Sequence, residues 1–426
     1  MTETTITAAH REPASPGDGP TGRPALVAVF PRATALPLPD SGRPLGRTWL
    51  TESGLTDDEV SGVHVAFDRS GGGLRVEDLG SRNGTWVDGH RLSPRVPVVV
   101  RDGATLRLGR TLFVVRLGLR GDLTPDPPLG GTMVGPYGLR PLAGALVGLA
   151  GSPAPTVLIE GETGTGKELT ARLVAATQER AAPFAAVNVA GLAAGVFESQ
   201  LFGHVGGAFS GAGVGALGIV RAHEGGTVFL DEIGELAPEL QASLLRLLDN
   251  REVMPVGASQ AMRIDVLFVA ATNRDLEALS ESGEFRPDLY ARLAAARLTL
   301  PPLRERPEDI FALATHLAAA DGRPWDRDAV EVEAVERLCL APWPRNVRQL
   351  RATLAAAARH DPEGRGLRLW ALDRELTPSK RTHQTPLTRE AVRTALEAHA
   401  GNVTAAAAAL GVSRGKLLRW RRKHDP

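Results

Sequence analysis

A glycine-rich segment that ends in a lysine carries the clearest chemistry in the sequence. Residues 161–168 read GETGTGKE; an apolar run, residues 157–160, precedes them and a helical stretch, residues 169–176, follows. Backbone N–H groups of such a strand-to-helix turn surround phosphate oxygens, and the helix N-terminus favours negative charge. A lysine at this point places a compact cation on the β- and γ-phosphates. The segment therefore predicts a nucleotide-phosphate loop made of Gly161, Glu162, Thr163, Gly164, Thr165, Gly166, Lys167 and Glu168.

Two adjacent carboxylates end a second apolar run. Residues 226–230 read GTVFL and lead directly into Asp231 and Glu232. Asp231 is predicted to hold Mg²⁺, directly or through water, and Glu232 to polarise the water that attacks the γ-phosphate of ATP. An acidic strand end that merely faces solvent is the alternative for such a motif alone. Its place after a phosphate loop, at an interval typical of a βαβ unit, favours the catalytic interpretation.

Further polar side chains follow in the same region. A third apolar run, residues 266–272, leads to Asn273, which is predicted to sense the γ-phosphate. Arg286 and Arg292 come after it. In an oligomeric ATPase such arginines reach the nucleotide of a neighbouring subunit and stabilise the charge of the transition state. We therefore expect a homo-oligomer, from dimer to hexamer, in which these two residues act as arginine fingers.

Composition limits the partners and the compartment. With 426 residues and a formal net charge of +0, the chain has room for several domains but no overall basic character, so any contact with nucleic acid needs a local patch. A single cysteine, Cys339, excludes an intrachain disulfide and fits a reducing compartment. No long uninterrupted apolar stretch predicts a membrane span, and the N-terminus lacks the pattern of a signal peptide. The expected location is the cytoplasm, with no membrane partner.

The spacing of apolar runs predicts a multidomain chain. Short, regularly spaced runs over residues 23–119 predict a β-sandwich, with strands at residues 25–30, 63–67, 74–78, 84–87, 96–100, 105–108 and 111–115. Strands alternate with helices over residues 133–307, which predicts an α/β parallel-sheet domain, and residues 308–376 are mostly helical. The remaining segments are a disordered N-terminus (1–22), linkers (120–132 and 377–385) and an all-α C-terminal domain (386–426).

The C-terminal segment carries the local basic patch that a neutral chain requires. Residues 402–410 can start at an asparagine cap and run as one helix, and Ser413 can cap a second. The second helix is rich in basic residues and has no acidic one before Asp425. This pattern predicts a helix-turn-helix on double-stranded DNA, with a solvated basic helix as the alternative. The predicted DNA contacts are Ser413, Arg414, Lys416, Arg419, Arg421 and Arg422.

Over residues 133–375 the sequence resembles the sigma-54-interacting AAA+ domain of bacterial enhancer-binding proteins. The motifs that carry the resemblance are GETGTGKE (161–168), LFGH (201–204), GAFSGA (207–212), GGTVFLDEI (225–233), FRPDL (285–289) and LPPLRER (300–306). Glu168, where other phosphate loops have Ser or Thr, is usual in this family. The resemblance implies that Asn188 is a polar switch for Glu232, and that Arg348 is a lid arginine that touches nucleotide. It also implies contact with sigma-54 RNA polymerase holoenzyme through Gly207, Ala208, Phe209, Ser210, Gly211 and Ala212.

Three positions depart from that family's pattern. Ser210 stands where the family has threonine, which keeps the hydroxyl and removes one methyl group. Arg345 replaces a glycine, and Val189 replaces a cysteine. The hydroxyl of Ser210 leads us to expect that contact with sigma-54 is retained.

The front region resembles a forkhead-associated (FHA) domain, and the tail resembles the Fis-type helix-turn-helix. The FHA match rests on residues 46–47 (GR), 61–64 (SGVH), 78–85 (DLGSRNGT) and 102–109 (DGATLRLG), in the family's order. It implies that the domain binds a phosphothreonine-containing protein or peptide, with His64 structural and Gly62 in place of a frequent arginine. The alternative is an interaction domain that does not depend on phosphate. The implied phosphopeptide residues are Arg47, Ser61, Arg82 and Asn83.

Together these patterns predict an ATP-dependent transcriptional activator that remodels sigma-54 polymerase under the control of phosphothreonine recognition. Two alternatives stay open: a DNA-binding AAA+ regulator that acts without sigma-54, and a remodelling ATPase outside transcription, which the basic tail disfavours. A scaffold without ATPase activity is disfavoured by the joint presence of Lys167, Asp231, Glu232, Arg286 and Arg292.

Overall fold

The structure is a computed structural model, and it describes part of the chain. The described residues are 22–38, 42–69, 74–190, 194–208, 214–362 and 364–376, together with Arg393 and Val403. The chain divides into two compact units, residues 1–372 and 373–426. The predicted disordered N-terminus, the second linker and the helix-turn-helix with its DNA contacts lie outside the described residues, apart from Gly22, Arg393 and Val403. In the part of the chain described here, no helix is long and apolar enough to cross a membrane.

The front region is a sandwich of two antiparallel sheets. The order is β2-β1-β10-β9-β6-β7 in the six-stranded sheet and β3-β4-β5-β8 in the four-stranded sheet. Apolar residues of both inner faces, such as Leu26, Phe67 and Phe113, form one buried core. The elements are β1 (Arg23–Phe30), β2 (Thr34–Pro37), β3 (Pro44–Leu45), α1 (Arg47–Glu52), β4 (Val65–Asp68), β5 (Leu74–Asp78), β6 (Thr85–Val87), β7 (His90–Arg91), β8 (Val98–Val100), β9 (Thr105–Leu108) and β10 (Thr111–Leu119).

The sequence pattern found the long strands of the sandwich and missed the short elements. β5 and β9 have the predicted bounds, whereas β10 continues to Leu119, four residues beyond the predicted end at 115. β2 was missed because it is an edge strand that ends in Pro37, a residue that signals a turn in sequence. β3, β7 and α1 are too short to show a period. Val63 and His64 were predicted in a strand, but β4 begins only at Val65.

The central region is a five-stranded parallel sheet flanked by helices, in the order β12-β15-β18-β11-β19. In parallel sheets of this kind ligands bind beyond the carboxyl ends of the strands. The elements are α2 (Arg140–Gly151), β11 (Thr156–Glu160), α3 (Lys167–Thr177), β12 (Phe184–Asn188), α4 (Ala194–Phe202), β13 (Gly203–His204), β14 (Ala216–Leu217), α5 (Ile219–Ala222), β15 (Thr227–Asp231), α6 (Pro238–Asn250), β16 (Glu252–Val253), β17 (Met262–Arg263), β18 (Leu267–Thr272), α7 (Leu276–Glu281), α8 (Pro287–Leu293) and β19 (Arg297–Thr299).

A helical lid follows the sheet. Its helices are α9 (Pro307–Ala320), α10 (Val332–Leu340), α11 (Asn346–His360) and α12 (Leu369–Leu376). Helices α10 and α11 both pack on α9, with Ile310, Val335 and Leu350 fully buried. The lid up to Leu372 therefore has an apolar core of its own and can transmit force as one packed body.

Arg140 fixes the predicted linker between the sandwich and the sheet by hydrogen bonds. The guanidinium of Arg140, at the start of α2, donates to the carbonyls of Arg120, Asp122 and Thr124 at 2.6–2.7 Å and pairs with Asp126. Tyr137 donates its hydroxyl to the carbonyl of Leu123 at 2.9 Å. The segment between sandwich and sheet is thus fixed by hydrogen bonds in addition to the stiffness that its prolines give.

Candidate nucleotide site and phosphopeptide loops

The phosphate loop connects β11 to α3, as its glycines require. Gly164 and Gly166 have φ of 82° and 110°, a left-handed region that L side chains rarely adopt. Lys167 is half-buried and donates its amine to the carbonyls of Gly161 (2.9 Å) and Glu162 (3.2 Å). Burial lowers the pKa of Lys167, and the positive charge of Arg348 lowers it further. The negative charges of Asp231 and Glu232 act in the opposite direction but do not outweigh burial. A cation that is partly stripped of water and held over the loop is suited to bind a phosphate.

The two carboxylates lie at the carboxyl end of β15, next to the phosphate loop. Asp231 is half-buried and accepts the backbone N–H of Glu232 at 2.9 Å. Burial raises the pKa of Asp231, although this N–H and the Lys167 cation oppose the shift. Glu232 has φ of 59°, an unfavourable backbone conformation that costs on the order of 1–3 kcal/mol and is typical of functional sites. A carboxylate with a raised pKa beside a cation gains from binding a further positive charge such as Mg²⁺.

The neighbouring strands bring two more predicted residues to this edge. Asn273 follows β18 and donates its amide to the Thr163 hydroxyl at 3.2 Å, which ties it to the phosphate loop. Asn188 ends β12 and pairs in register with Asp231. In this structure the amide oxygen of Asn188 accepts the N–H of Ala190 at 2.8 Å, and the hydrogen bonds of the described residues include none between Asn188 and Glu232.

The two predicted arginine fingers lie on α8 and at its start. Arg286 forms a two-pronged ion pair with Asp288, at 2.7 and 3.0 Å. Arg292 pairs with Asp249 at 3.2 Å and is part-exposed. Both side chains therefore form ion pairs with carboxylates of the same chain and remain partly exposed.

Two residues that the sequence interpretation did not single out join the lid to the phosphate loop. Asn346, fully buried at the start of α11, donates to the Glu162 carboxylate and to the Thr163 carbonyl, both at 3.1 Å. Arg304 forms a two-pronged pair with Glu162 at 2.7 and 2.8 Å. Hydrogen bonds from Arg304 and Asn346 lower the pKa of Glu162. Arg304 stands inside the motif LPPLRER (300–306) and Asn346 lies two residues before Arg348, but only the folded chain shows that they meet at Glu162.

The Arg345 position is compatible with the fold. Arg345 has φ of −117°, which any residue adopts. The left-handed positions of this turn are Trp343 (φ 44°) and Asn346 (φ 49°). The carbonyl of Arg345 approaches Gly164 so closely that a Cβ on Gly164 would lie 2.3 Å from it. The close approach of the two loops therefore requires a glycine at residue 164, in the phosphate loop. Residue 345 itself does not need to be a glycine.

The predicted sigma-54 loop is described only at its base. Gly207 has φ of 79°, and residues 209–213, with Phe209, Ser210, Gly211 and Ala212, lie outside the described residues. The short hairpin β13–β14 pairs Gly203 with Leu217 and brings the two sides of the loop together. Val214 and Leu217 are exposed beside the loop, at 86% and 58%. The hairpin thus presents apolar side chains around the segment that the motif predicts as a contact.

The predicted phosphopeptide residues form a connected set at one end of the sandwich. Ser61 accepts the N–H of Arg82 on its hydroxyl at 3.1 Å, and Asn83 donates to the Glu59 carbonyl at 2.8 Å. Arg47 donates to the carbonyls of Val60 and Asp58, both at 3.0 Å. Arg47, Arg82 and Asn83 are exposed, so their remaining donors face solvent. Several N–H donors that converge on one surface are suited to an anion such as a phosphate.

Two buried polar residues hold these loops together. His64 accepts the Ser61 N–H at Nδ1 (3.1 Å), so its Nε2 carries the proton and donates to the Gly84 carbonyl (3.2 Å). Burial lowers the pKa of His64, which keeps this neutral form. Asp78, which the sequence interpretation did not single out, accepts four hydrogen bonds within 2.8 Å, from Gly80, the N–H and hydroxyl of Ser81, and Thr85. Burial opposes ionisation of Asp78, but these donors outweigh it and lower its pKa.

Family models match three separate parts of the chain. They are the FHA domain over residues 45–109, the Sigma-54 interaction domain over residues 146–299, and the AAA+ ATPase lid domain over residues 304–389. These matches confirm the predicted multidomain fold class of an FHA region, an AAA+ ATPase region with a parallel sheet, and a helical lid.

Similar proteins of known name are transcriptional regulators. The chain is 47% identical over 199 residues to the transcriptional regulatory protein GlrR of Escherichia coli, which is 46% of this chain and 45% of that protein. It is 39% identical over 284 residues to the transcriptional regulatory protein ZraR of the same organism, 64% of each chain. The chain thus spans less than half the length of GlrR.

A solved structure supports the nucleotide site. The structure of NtrX from Brucella abortus in complex with ATP is similar to this chain, with 26% identity, a TM-score of 0.50 and coverage of 69% of both chains. NtrX therefore binds ATP. The chain therefore combines an FHA domain, a sigma-54 interaction domain of the AAA+ type and an AAA+ lid, and its named relatives are transcriptional regulators.

Proposed function

We propose that this protein hydrolyses ATP to remodel sigma-54 RNA polymerase holoenzyme, from a position on upstream DNA, under the control of a phosphothreonine ligand. The observation that carries the proposal is the convergence of Lys167, Asp231 and Asn273 at the carboxyl edge of β11, β15 and β18, within a region that matches the sigma-54 interaction family. This convergence supports phosphate binding by Lys167, a metal ligand at Asp231 and a γ-phosphate sensor at Asn273.

In the proposed reaction, the backbone N–H groups of residues 161–168 and the Lys167 amine bind the phosphates of ATP. Asp231 would hold Mg²⁺, because Mg²⁺ in nucleotide sites is bound through one or two carboxylates. Bound Mg²⁺ supplies charge neutralisation on the β- and γ-phosphates. Glu232 orients the attacking water and accepts its proton, and Asn188 restrains Glu232 until the nucleotide changes.

In the proposed oligomer, two arginines of each subunit act on the nucleotide of the neighbouring subunit. Arg286 and Arg292 leave their own carboxylate partners, Asp288 and Asp249, and reach the γ-phosphate of the next subunit. Since both ion pairs are exposed, exchanging them for a phosphate contact has a small cost. Arg348 supplies a lid contact to nucleotide in the same subunit.

The output is contact with sigma-54 through the loop of residues 207–212. Glycines at both ends let the loop change position with the state of the nucleotide, and Phe209 supplies an apolar tip. The DNA contacts are Ser413, Arg414, Lys416, Arg419, Arg421 and Arg422. They keep the oligomer near the promoter.

The input is a phosphothreonine-containing protein or peptide on the sandwich. Arg47 and Ser61 contact the phosphate, and Arg82 and Asn83 hold the loop and the peptide backbone. The backbone N–H of Arg47 donates to the Ser61 carbonyl at 2.9 Å, and the backbone N–H of Arg82 donates to the Ser61 hydroxyl at 3.1 Å, so both arginines are held next to Ser61.

Open-complex formation with sigma-54 holoenzyme, promoter DNA and ATP tests the proposal. Wild type should form open complexes, and Phe209→Ala should abolish them while it hydrolyses ATP at the wild-type rate. A matched control is Val147→Ala, which removes an exposed apolar side chain from α2, away from the loop. It should behave as wild type. If wild type hydrolyses ATP but forms no open complex, the sigma-54 assignment is wrong and a DNA-binding regulator that acts without sigma-54 is favoured.

A further inference from the structure

The sandwich lies directly against the lid. Strand β1 packs on α9, where the rings of Phe30 and Phe311 meet edge to face with centroids 5.3 Å apart. Strands β9 and β10 pack on α10. Both aromatic side chains are buried, so this part of the interface is apolar.

One buried arginine of the sandwich binds two carboxylates of the lid. Arg107, on β9, donates Nε to Glu336 at 2.8 Å and another nitrogen to Glu333 at 3.0 Å, both on α10. Its guanidinium also lies over the ring of Trp86, 4.4 Å from the centroid. The side chains of Arg107 and Glu336 are only 9% and 6% exposed, so each charge depends on the other for its compensation.

A second arginine repeats the arrangement on α9. Arg116, on β10, reaches both oxygens of the Glu308 carboxylate, which is 4% exposed, and donates to the Glu305 carbonyl at 2.7 Å. Asp102 of the sandwich holds the same guanidinium at 2.8 Å. Burial disfavours the charge of Arg116, but Glu308 and Asp102 outweigh it and raise its pKa. The sandwich–lid interface is therefore defined by Arg107 and Arg116 on one side and Glu308, Glu333 and Glu336 on the other.

The lid also contacts the phosphate loop directly. Helices α10 and α11 pack on α9, and Asn346 at the start of α11 donates to Glu162 and Thr163 of the loop. The N–H of Val347 adds a bond to the Gly164 carbonyl at 3.0 Å. The lid is thus held between the sandwich and the phosphate loop.

The interface leaves the phosphopeptide loops uncovered. Strand β6 begins just after Arg82 and Asn83 and ends before Gly89, whose N–H donates to Glu336 at 3.2 Å. The loop residues and the lid contact are therefore at opposite ends of one short strand. A peptide bound at the loops does not compete with the lid for surface.

We propose that the sandwich is a brace for the lid, and that the sandwich–lid interface slows the release of nucleotide from the phosphate loop. Tyr137, just before α2, packs in one buried cluster with Ala25 and Val27 of the sandwich, which holds the sandwich against the start of α2. A lid that swings away from the loop therefore separates Arg107 from Glu336 and Arg116 from Glu308 and leaves charges buried and unpaired. This role needs neither sigma-54 nor a phosphothreonine ligand. It adds to the sandwich a function in the ATPase cycle of its own chain.

The test is the release rate of a fluorescent ADP analogue from the full chain, measured by stopped flow against excess ATP. Arg107→Glu and Glu336→Arg should each speed release about fivefold or more, the lower end of usual coupling between sites. The two changes combined place opposite charges at the same positions and should slow release again toward wild type. Arg75→Glu is the matched control, because Arg75 is exposed on the other sheet, and it should release ADP at the wild-type rate.

Glu333→Lys keeps the test decisive if either buried variant fails to fold. Glu333 is 47% exposed, so reversal of its charge weakens the interface without burying a new charge, and it should speed release about twofold. Folded single variants with wild-type release rates overturn the brace, and so does a double variant that releases ADP faster than either single one. A wild-type chain that binds no ADP would instead reject the nucleotide site itself.

Discussion

The nucleotide site and the phosphopeptide loops are built by opposite means. In the candidate nucleotide site the predicted reactive side chains lie at the ends of parallel strands or, for Lys167, at the start of the helix that follows one, so β11, β15 and β18 fix their positions. In the sandwich the ligand-binding side chains lie on exposed loops, which the buried His64 and Asp78 hold from below. Substitutions in the nucleotide site should therefore abolish ATP hydrolysis and leave the fold intact. Substitutions of the buried residues that support the sandwich loops should instead unfold those loops.

The two predicted phosphate-binding cations show the same contrast. Lys167 donates to carbonyls five and six residues away in its own loop. Arg47 donates to carbonyls eleven and thirteen residues away, in a different loop. A phosphate bound at Lys167 would replace hydrogen bonds within the phosphate loop itself. A phosphate bound at Arg47 would replace hydrogen bonds that connect two different loops.

The largest effect should come from Lys167→Ala. Loss of a preorganised cation on the phosphates should reduce ATP turnover by roughly 10²–10³-fold or more, with phosphopeptide binding unchanged. A coupled assay of ATP hydrolysis measures this. Arg172→Ala, an exposed cation on the same helix, is the control and should keep turnover. Normal turnover in Lys167→Ala would reject the phosphate-loop assignment.

Asp78→Ala should have the next largest effect, which we expect in the sandwich. It leaves the donors of Gly80, Ser81 and Thr85 without their buried acceptor, which should lower the free energy of unfolding of the sandwich by about 3 kcal/mol. Thermal or urea unfolding followed by the fluorescence of Trp49 and Trp86 measures it. Unchanged stability together with lost peptide binding would place Asp78 in the binding surface, contrary to the contrast drawn here.

A smaller effect should follow from the protonation of His64. Its pKa in the folded chain is lowered from the ordinary value of 6.5, so below about pH 6.5 the unfolded chain binds more protons than the folded one. Stability should then fall as pH decreases, with a slope of at most about 1.4 kcal/mol per pH unit from this group. His64→Gln, which can accept from Ser61 and donate to Gly84 without titrating, should flatten that slope. An equal slope in both proteins would assign the pH dependence elsewhere.

The smallest expected effect is a gain of function at Gly62. No heavy atom lies within 4 Å of a Cβ built there, so Gly62→Arg has room for its side chain beside Ser61. An added exposed guanidinium should tighten binding of a phosphothreonine peptide by about 1 kcal/mol, or roughly fivefold. Isothermal titration with phosphorylated and plain peptides tests it. Equal gains for both peptides would show that the loops do not read phosphate.

Much of the fold and of the nucleotide site could be predicted because the signals are local. A glycine-rich turn between a strand and a helix, or two carboxylates at a strand end, determines its own geometry within a few residues. The elements β2, β3, β7 and α1 could not be predicted: β3 and β7 have only two residues each, β2 ends in a proline, and the six residues of α1 are too few to show a helical period. The role of Asp78 was missed for a similar reason, since three of its four bonds stay within Gly80–Ser81 and look like an ordinary turn in sequence.

By itself, then, the sequence determined the kinds of chemistry present and the order of the regions: a phosphate loop, a carboxylate pair, a loop of phosphopeptide type and a basic tail. The tertiary structure decided how these regions are joined. Asn346 and Glu162 are 184 residues apart, and Arg107 and Glu336 are 229 residues apart. Pairs so distant in the chain meet only after each layer has packed, because their geometry depends on the apolar cores of the sandwich, sheet and lid and not on local backbone preference.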